Sequence, residues 1–370
     1  MKACHGVVGL MILGMALGCG GSSGPSSPTP TPTNPTLTAP AAESPTDDTQ
    51  LDTLRPTLIV RNGTSTVAGA RTYEFQISDS SDFASVTAPA AGLAVTVTQT
   101  GVAEGTGGTT SFTPASDLQP STRMYWRARV SQGTTVSGWS STSQFRTKLV
   151  GFNRGGELYD PLIHGETIGA RAGSTTFMGA RGLRVDTNTS WVRYQLARTL
   201  TSGEISVEVE GLQPNGPGMK SRIFSMMDGG SNLFRSKFLF NVQYRGLRGN
   251  PDNAISYKVL MGDEDLKFEP SFSQRSAGVR MLNPTTAYLW TATWGSEFRL
   301  SIREGGASGP VIYDRTHDTR GTYNPTPHTV YLGANDAAQE SGSLPGAIYR
   351  NLWVGDRPRP ATLGSALTMP

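Results

Sequence analysis

The stretch Gly262-Asp263-Glu264-Asp265-Leu266-Lys267-Phe268-Glu269 comes nearest to an acid and nucleophile pair. In an extended strand Asp263, Asp265, Lys267 and Glu269 share one side, and Leu266 follows Glu264 on the other. Glycoside hydrolysis needs two carboxyl groups facing one substrate, about 5 Å apart in retaining enzymes. This run makes a charged surface edge instead. Sugar recognition without chemistry asks for different residues, aromatic faces for stacking and planar polar groups for hydroxyls. Trp191, Tyr244, Arg245 and Trp294 are the candidates for that role, although Trp290 and Trp294 fall on one side of a strand, which sends at least one of them to a core. Thiol chemistry is excluded from the body of the protein, because its two cysteines are Cys4 and Cys19.

The elements that must hold these residues are strands. The chain has 370 residues with 44 Gly, 24 Pro and only 16% charged residues, and no stretch keeps a helical period beyond about two turns. Its formal net charge of +3 includes Lys2 and is spread evenly, which argues against nucleic acid as a partner. With no cysteine after Cys19, stability must come from apolar burial in domains large enough to build a core.

The N-terminus reads as a secretion signal: Lys2, then an apolar run of about 11 residues from Val7 to Leu17, too short for a membrane-spanning helix of roughly 20. Ala16-Leu17-Gly18-Cys19 resembles the lipobox of bacterial lipoproteins, with Ala16 where that family usually has leucine. The resemblance implies a signal peptide over 1–18, cleavage before Cys19 and lipidation of Cys19. Gly20 is not the aspartate that marks inner-membrane retention, so the outer membrane is the expected home, facing the periplasm or the exterior. Residues 19–38 are nearly all Gly, Ser, Pro and Thr, a solvated tether.

Residues 39–148 alternate in strand fashion, as in Tyr73-Glu74-Phe75-Gln76-Ile77 and Met124-Tyr125-Trp126-Arg127-Ala128-Arg129-Val130. Together with Leu118-Gln119-Pro120-Ser121-Thr122 and Ser137-Gly138-Trp139-Ser140 they resemble a fibronectin type III domain of the bacterial secreted kind. Met124 stands where that family has the tyrosine of its corner hydrogen bond. Trp126 is expected in the core and Trp139 on the edge near Arg127. Residues 87–111 are long and Gly/Thr-rich, an extended hairpin or loose loop.

Residues 151–357 carry more than ten further strand patterns, among them Trp191-Val192-Arg193-Tyr194-Gln195-Leu196 and Gly203-Glu204-Ile205-Ser206-Val207-Glu208-Val209-Glu210. Ile205, Val207 and Val209 must share one buried face, and so many strands imply two packed antiparallel sheets. Ile223-Phe224-Ser225 before Asp228-Gly229-Gly230, Thr291-Ala292-Thr293-Trp294-Gly295 before an alternating strand, and Tyr331-Leu332-Gly333 before Pro345-Gly346 resemble the concanavalin A-like, laminin G-like family. The fold class is therefore all-β, a fibronectin type III-like β-sandwich plus a larger concanavalin A-like jelly roll, and residues 358–370 read as an unstructured tail.

That second resemblance implies three alternatives. The first is a non-catalytic binding module, with carbohydrate as the expected ligand. The second is a glycan-degrading enzyme, which as a lyase would need tyrosine, histidine and arginine together; Tyr244-Arg245, Tyr257-Lys258, His164, His317 and His328 are not gathered by their spacing. The third is a structural or protein-adhesion role. The family also implies a calcium site at the sheet rim, for which Asp263, Asp265 and Asp336 are the candidates, with Asp228 behind them.

Overall fold

The computed structural model of the chain describes residues 34–84, 95–214, 219–228, 238–245, 254–261, 267–268, 282–318, 328–334 and 342–364. The first unit runs through β1 (Ala41–Ser44), β2 (Thr49–Gln50), β3 (Leu58–Arg61), β4 (Thr72–Ser78), β5 (Thr96–Ala103), β6 (Thr109–Phe112), β7 (Arg123–Gln132), β8 (Thr135–Val136) and β9 (Ser143–Arg146). One sheet has the order β1-β3-β6; the other has β2-β9-β7-β4-β5, with β8 beside β7. The two sheets form the expected fibronectin-like sandwich. Alternation explains it directly, since Tyr73, Phe75 and Ile77 of β4 and Met124, Trp126, Ala128 and Val130 of β7 are all buried on one face. The Trp126 indole donates to the Pro45 carbonyl at 2.9 Å, which satisfies its polar end inside the core.

Two details differ from the sequence reading. The fold begins inside the expected tether, because Thr36 and Thr38 exchange backbone hydrogen bonds with Thr66 and Thr64. The corner that lacks its tyrosine is closed by a threonine: the Thr147 hydroxyl donates to the Gln119 carbonyl at 2.7 Å and accepts from the Thr122 amide at 3.0 Å. Met124 takes the vacated direction into the core.

The second unit comprises β10 (Phe152–Arg154), β11 (Glu157–Asp160), β12 (Ala170–Ala172), β13 (Thr175–Phe177), β14 (Leu183–Val185), β15 (Trp191–Gln195), β16 (Gly203–Glu210), β17 (Lys220–Met227), β18 (Phe238–Arg245) and β19 (Ala254–Met261). It continues with β20 (Lys267–Phe268), β21 (Tyr288–Trp294), β22 (Glu297–Glu304), β23 (Val311–Asp318), β24 (Thr329–Gly333), β25 (Gly342–Ser343) and β26 (Ile348–Gly355). A nine-stranded sheet has the path β10-β11-β26-β16-β21-β22-β23, with β13 and β14 joined to β26; an eight-stranded sheet has β12-β15-β24-β17-β18-β19-β20, with β25 beside β17. Nearly all these pairings are antiparallel, β17 with β25 being parallel. This is the jelly-roll sandwich.

Its core lies between the two sheets. Ile205, Val207 and Val209 of β16 are fully buried there, as their spacing requires. Phe224 of one sheet meets Trp290 of the other edge to face, with centroids 6.5 Å apart and planes at 87°. Each such side chain contributes about 1.5–3 kcal/mol when buried.

Residues 358–364 are packed rather than loose. Leu363 is 1% exposed, clustered with Phe152, Tyr159 and Trp353 on the outer face of the nine-stranded sheet. The Arg123 amide donates to the Thr362 carbonyl at 3.0 Å, and the Gly364 amide to the Ser121 carbonyl at 2.8 Å. The end of the second unit is thereby stitched to β7 of the first.

Candidate functional site

The non-core face of the eight-stranded sheet carries the site. Alternation along β15 sends Val192 and Tyr194 inward and leaves Trp191, Arg193 and Gln195 on the outer face. Antiparallel register then lines up Arg193, Tyr331, Ser225 and Asn241 across β15, β24, β17 and β18. The neighbouring row holds Gln195, Thr329 and Met227. Adjacent strands are about 4.8 Å apart, so the first row is a polar strip that crosses four strands.

Trp191 stands at one end of the strip. Its ring meets Tyr331 edge-on with centroids 5.7 Å apart and planes at 76°, and the Arg193 guanidinium lies 5.6 Å from the indole centroid. Trp191 is half-buried whereas Tyr331 is buried, so the indole is the aromatic surface left accessible. Opposite Trp191 in the ladder is Gly333, whose φ of +82° favours glycine. A Cβ there would come within 2.3 Å of the Ser343 hydroxyl, which itself bonds the Ser190 carbonyl and the Ala334 amide. The glycine lets β25 close against the strand end that supports Trp191.

Polar satisfaction singles out the middle of the strip. Ser225 and Asn241 are 0% and 3% exposed, and neither the Ser225 hydroxyl nor the Asn241 amide oxygen has a protein partner. Buried polar atoms without partners cost about 1–3 kcal/mol each, and native proteins keep few of them. Two side by side, in register on adjacent strands, make an acceptor and donor pair that a buried water would satisfy. Among the described residues of the strip no side chain is a carboxylate.

The strip borders a cleft. Arg193 and Gln195 also line a cavity of about 570 Å³ between the jelly roll and the fibronectin-like unit. One wall is shaped by Asp160, which is 0% exposed and accepts hydrogen bonds from the Leu162 and Ile168 amides and the Thr167 and Tyr194 hydroxyls. Burial pushes the Asp160 carboxyl up from the usual aspartate range, against the pull of those four donors. Burial likewise pushes the Tyr194 hydroxyl well up, aided by the Asp160 charge. The group is a structural tie for the loop that carries Ile168.

Of the residues expected from sequence to touch a ligand, Trp191 is on this outer face. Tyr244 and Trp294 are not. Tyr244 is 0% exposed in the jelly-roll core, and burial pushes its hydroxyl up to about 12. Trp294 is 3% exposed, packs on Phe240 and donates to the Leu200 carbonyl at 3.2 Å. Both were candidates because an aromatic beside polar residues can stack on sugars, but each sits at an inward position of its strand. Arg245 ends β18 opposite Lys220. Asp263, Asp265 and Asp336 lie outside the described residues, and among the described residues no group of three or more metal-binding side chains forms. Asn241, Ser225 and Arg193 went unremarked, although the alternation that buries Phe240 and Val242 already puts Asn241 on the outer face.

No protein-family model matches the chain, and no curated protein sequence matches it. Among solved structures, a legume lectin-like domain from Entamoeba histolytica is similar at 12% identity and a TM-score of 0.31, over 50% of this chain and 87% of that one. Winged bean acidic lectin complexed with methyl-alpha-D-galactose is similar at 10% identity and a TM-score of 0.35, over 54% and 98%. The FN1-FN3 domains of chicken CNTN1 are similar at 10% identity and a TM-score of 0.23, over 86% and 99%. At these identities and scores the likenesses concern the all-β fold alone.

Proposed function

We propose that the protein is a lipid-anchored component of the bacterial cell envelope that presents a non-catalytic carbohydrate-binding module. The observation that carries the binding role is the outer face of β15: a half-buried Trp191 backed by Tyr331, with exposed Arg193 and Gln195 along the same strand. An indole face stacks on the C–H side of a sugar ring, and polar side chains exposed beside it meet its hydroxyls. The strip's lack of carboxylates among its described residues favours holding a glycan over hydrolysing it.

The anchor follows from Ala16-Leu17-Gly18-Cys19 and the Pro/Thr spacer behind it. Two or more acyl chains on Cys19 give stable membrane attachment, since each buried methylene contributes about 0.8 kcal/mol. Gly20 directs this reading to the outer membrane.

A glycan array with the full chain in detergent, run with and without a calcium chelator and followed by a product assay on each hit, tests the module. Binding without turnover, weakened about tenfold by Trp191→Ala, is expected. Turnover would replace the module by an enzyme, and silence on every glycan would replace it by protein adhesion. Palmitate labelling that persists in Cys19→Ala would remove the anchor.

A further inference from the structure

We propose that the outer face of β15 is a one-ended site that takes the terminus of a glycan chain, because the cleft between the two folded units closes it beyond Gln195. The proposal rests on the glycan-binding reading above and adds to it which part of a glycan is recognised.

The face has a direction and a length. Trp191, Arg193 and Gln195 follow one another on the same side of β15, and four steps of about 3.4 Å put roughly 14 Å between the first and the last. A short oligosaccharide lying along the strand covers that distance. Gln195 is fixed at its end of the face, since its side-chain nitrogen donates to the His328 carbonyl at 3.1 Å and its side-chain oxygen accepts from the Thr329 hydroxyl at 3.1 Å.

Two walls stop the face there. The first is β10, which is fastened to the chain leaving β15. The Asn153 side chain donates to the Gln195 carbonyl at 2.6 Å and accepts from the Ala197 amide at 3.2 Å, and the Arg198 guanidinium donates to the Gly155 carbonyl at 2.9 Å. The second is the fibronectin-like unit, whose Leu54 and Pro120 line the same cavity of about 570 Å³ as Asn153, Arg193 and Gln195. That volume lies within the range of about 300–1,000 Å³ usual for ligand pockets, which favour domain junctions.

Neither wall is loose. The Leu54 carbonyl accepts from the Leu118 amide at 2.9 Å, and Ser121, next to Pro120, donates its amide to the Lys148 carbonyl at 2.8 Å and its hydroxyl to the Val150 carbonyl at 2.9 Å. A cleft fixed in this way spends little of its binding energy on ordering.

The floor between the walls is low and apolar. Ala170 of β12 is exposed and lies opposite Arg193 in the ladder, so only a methyl group stands where a larger side chain would fill the cavity. Ile168 beside it is 46% exposed, and its amide is held by the buried Asp160 carboxylate at 3.0 Å. A terminal sugar ring can rest its C–H side there, whereas an internal segment has to continue through β10 or the fibronectin-like unit. Before Trp191 the turn leaves Asn188 and Thr189 exposed, the side on which a longer glycan departs. Binding therefore counts chain ends and not chain length.

The test compares trisaccharides with linear polymers of the same linkage on the full chain in detergent: xylotriose with xylan, mannotriose with mannan, and maltotriose with amylose. In each pair that binds, the polymer is expected to be at least about tenfold weaker at equal sugar mass, and acid cleavage to short fragments is expected to restore binding. Ala170→Trp fills the floor from an exposed position and should weaken trisaccharide binding about tenfold at an unaltered melting temperature. Thr98→Trp, on exposed β5 of the fibronectin-like unit, should change it by less than about twofold. Equal binding of polymer and trisaccharide at equal sugar mass, wild-type binding by Ala170→Trp, or an equal loss in Thr98→Trp would overturn the proposal. Trp191→Ala separates the two readings. Loss there with polymer and trisaccharide bound equally keeps the glycan reading and removes the chain-end site. Silence on every pair, or full binding by Trp191→Ala, removes both.

Discussion

Across the jelly-roll core the Tyr349 hydroxyl donates to the Ile223 carbonyl at 2.9 Å. Ile223 is the residue that the ladder between β17 and β18 skips, because Arg222 pairs with Gln243 and Phe224 with Val242. A β-bulge leaves a backbone group without its strand partner, and a tyrosine from the opposite sheet supplies the missing donor. The bulge also turns Ile223 and Phe224 both towards the core, which resets the alternation so that Ser225 emerges on the outer face beside Asn241. The inter-sheet bond and the polar strip are linked in this way.

Removing that hydroxyl leaves a buried carbonyl without its donor. Tyr349→Phe should therefore cost about 1–3 kcal/mol in urea unfolding while the ring still fills the core. A change below about 0.5 kcal/mol would mean that water replaces the hydroxyl. Because the bulge sets the phase of β17, glycan binding by Tyr349→Phe should fall more than the stability loss alone explains, measured at a temperature where the variant stays folded.

Trp139 ties together the exposed side of the fibronectin-like unit. The Arg127 and Arg129 guanidinium groups each lie 4.4 Å from its ring, and Arg127 also covers Phe83 at 4.0 Å. The Ser137 and Ser140 hydroxyls accept from the Val130 and Ala128 amides, so side chains stand in for strand carbonyls along β7. Trp139→Ala should cost about 1–2 kcal/mol, and Trp139→Phe should recover most of it. A sugar-binding role for Trp139 would instead show as lost glycan affinity with unchanged unfolding.

Strand alternation made most of this architecture legible. β16 spans the residues whose polar and apolar side chains alternate without a break, Gly203–Glu210, and β21 follows with Leu289 as the one interruption in Tyr288–Trp294. β23 (Val311–Asp318) escaped notice because Asp314, Arg315 and Asp318 interrupt the apolar pattern. Among the described residues it pairs with β22 alone, and Asp314 bonds Arg299 there. Residue type alone misled for Tyr244 and Trp294, since the phase of each strand decides whether an aromatic fills the core or faces a ligand. The strip combines four strands far apart in sequence, and register of that range depends on which strands become neighbours. The cleft was hidden for the same reason, together with the packing of Leu363.

The C-terminal segment makes that last point testable. Arg359 donates its amide to Glu204 at 3.0 Å and its guanidinium to the Leu363 carbonyl at 3.0 Å, while Leu363 fills a pocket of Phe152, Tyr159 and Trp353. Leu363→Asp places a charge in that pocket and should release the segment. Trypsin cleavage after Lys148, in the connection between the units, should then accelerate about tenfold, with each unit's own core remaining resistant. Unchanged cleavage would show that the Ser121 and Val150 contacts suffice to hold the junction.

Asp48 gives the fibronectin-like unit a defined acid response. Partial burial pushes its carboxyl up, but hydrogen bonds and charge from Arg123 and Arg146 outweigh that and hold it below the usual 3.8. The bonds measure 3.0 and 2.9 Å from Arg123 and 2.5 Å from Arg146. A carboxyl with a depressed folded value stabilises the fold above its unfolded value, and that stability is lost as pH falls through the folded one. Asp48→Asn should therefore be less stable than wild type at pH 7 by about 1–2 kcal/mol, with the gap closing as pH drops below about 4. Asp160 and Glu204 run the other way, because burial raises both and their ionisation weighs against the fold as pH rises. They are present in both proteins, so the difference between Asp48→Asn and wild type isolates the Asp48 effect. A gap that persists unchanged at pH 3 would show that the two arginines are held by packing and not by the Asp48 charge.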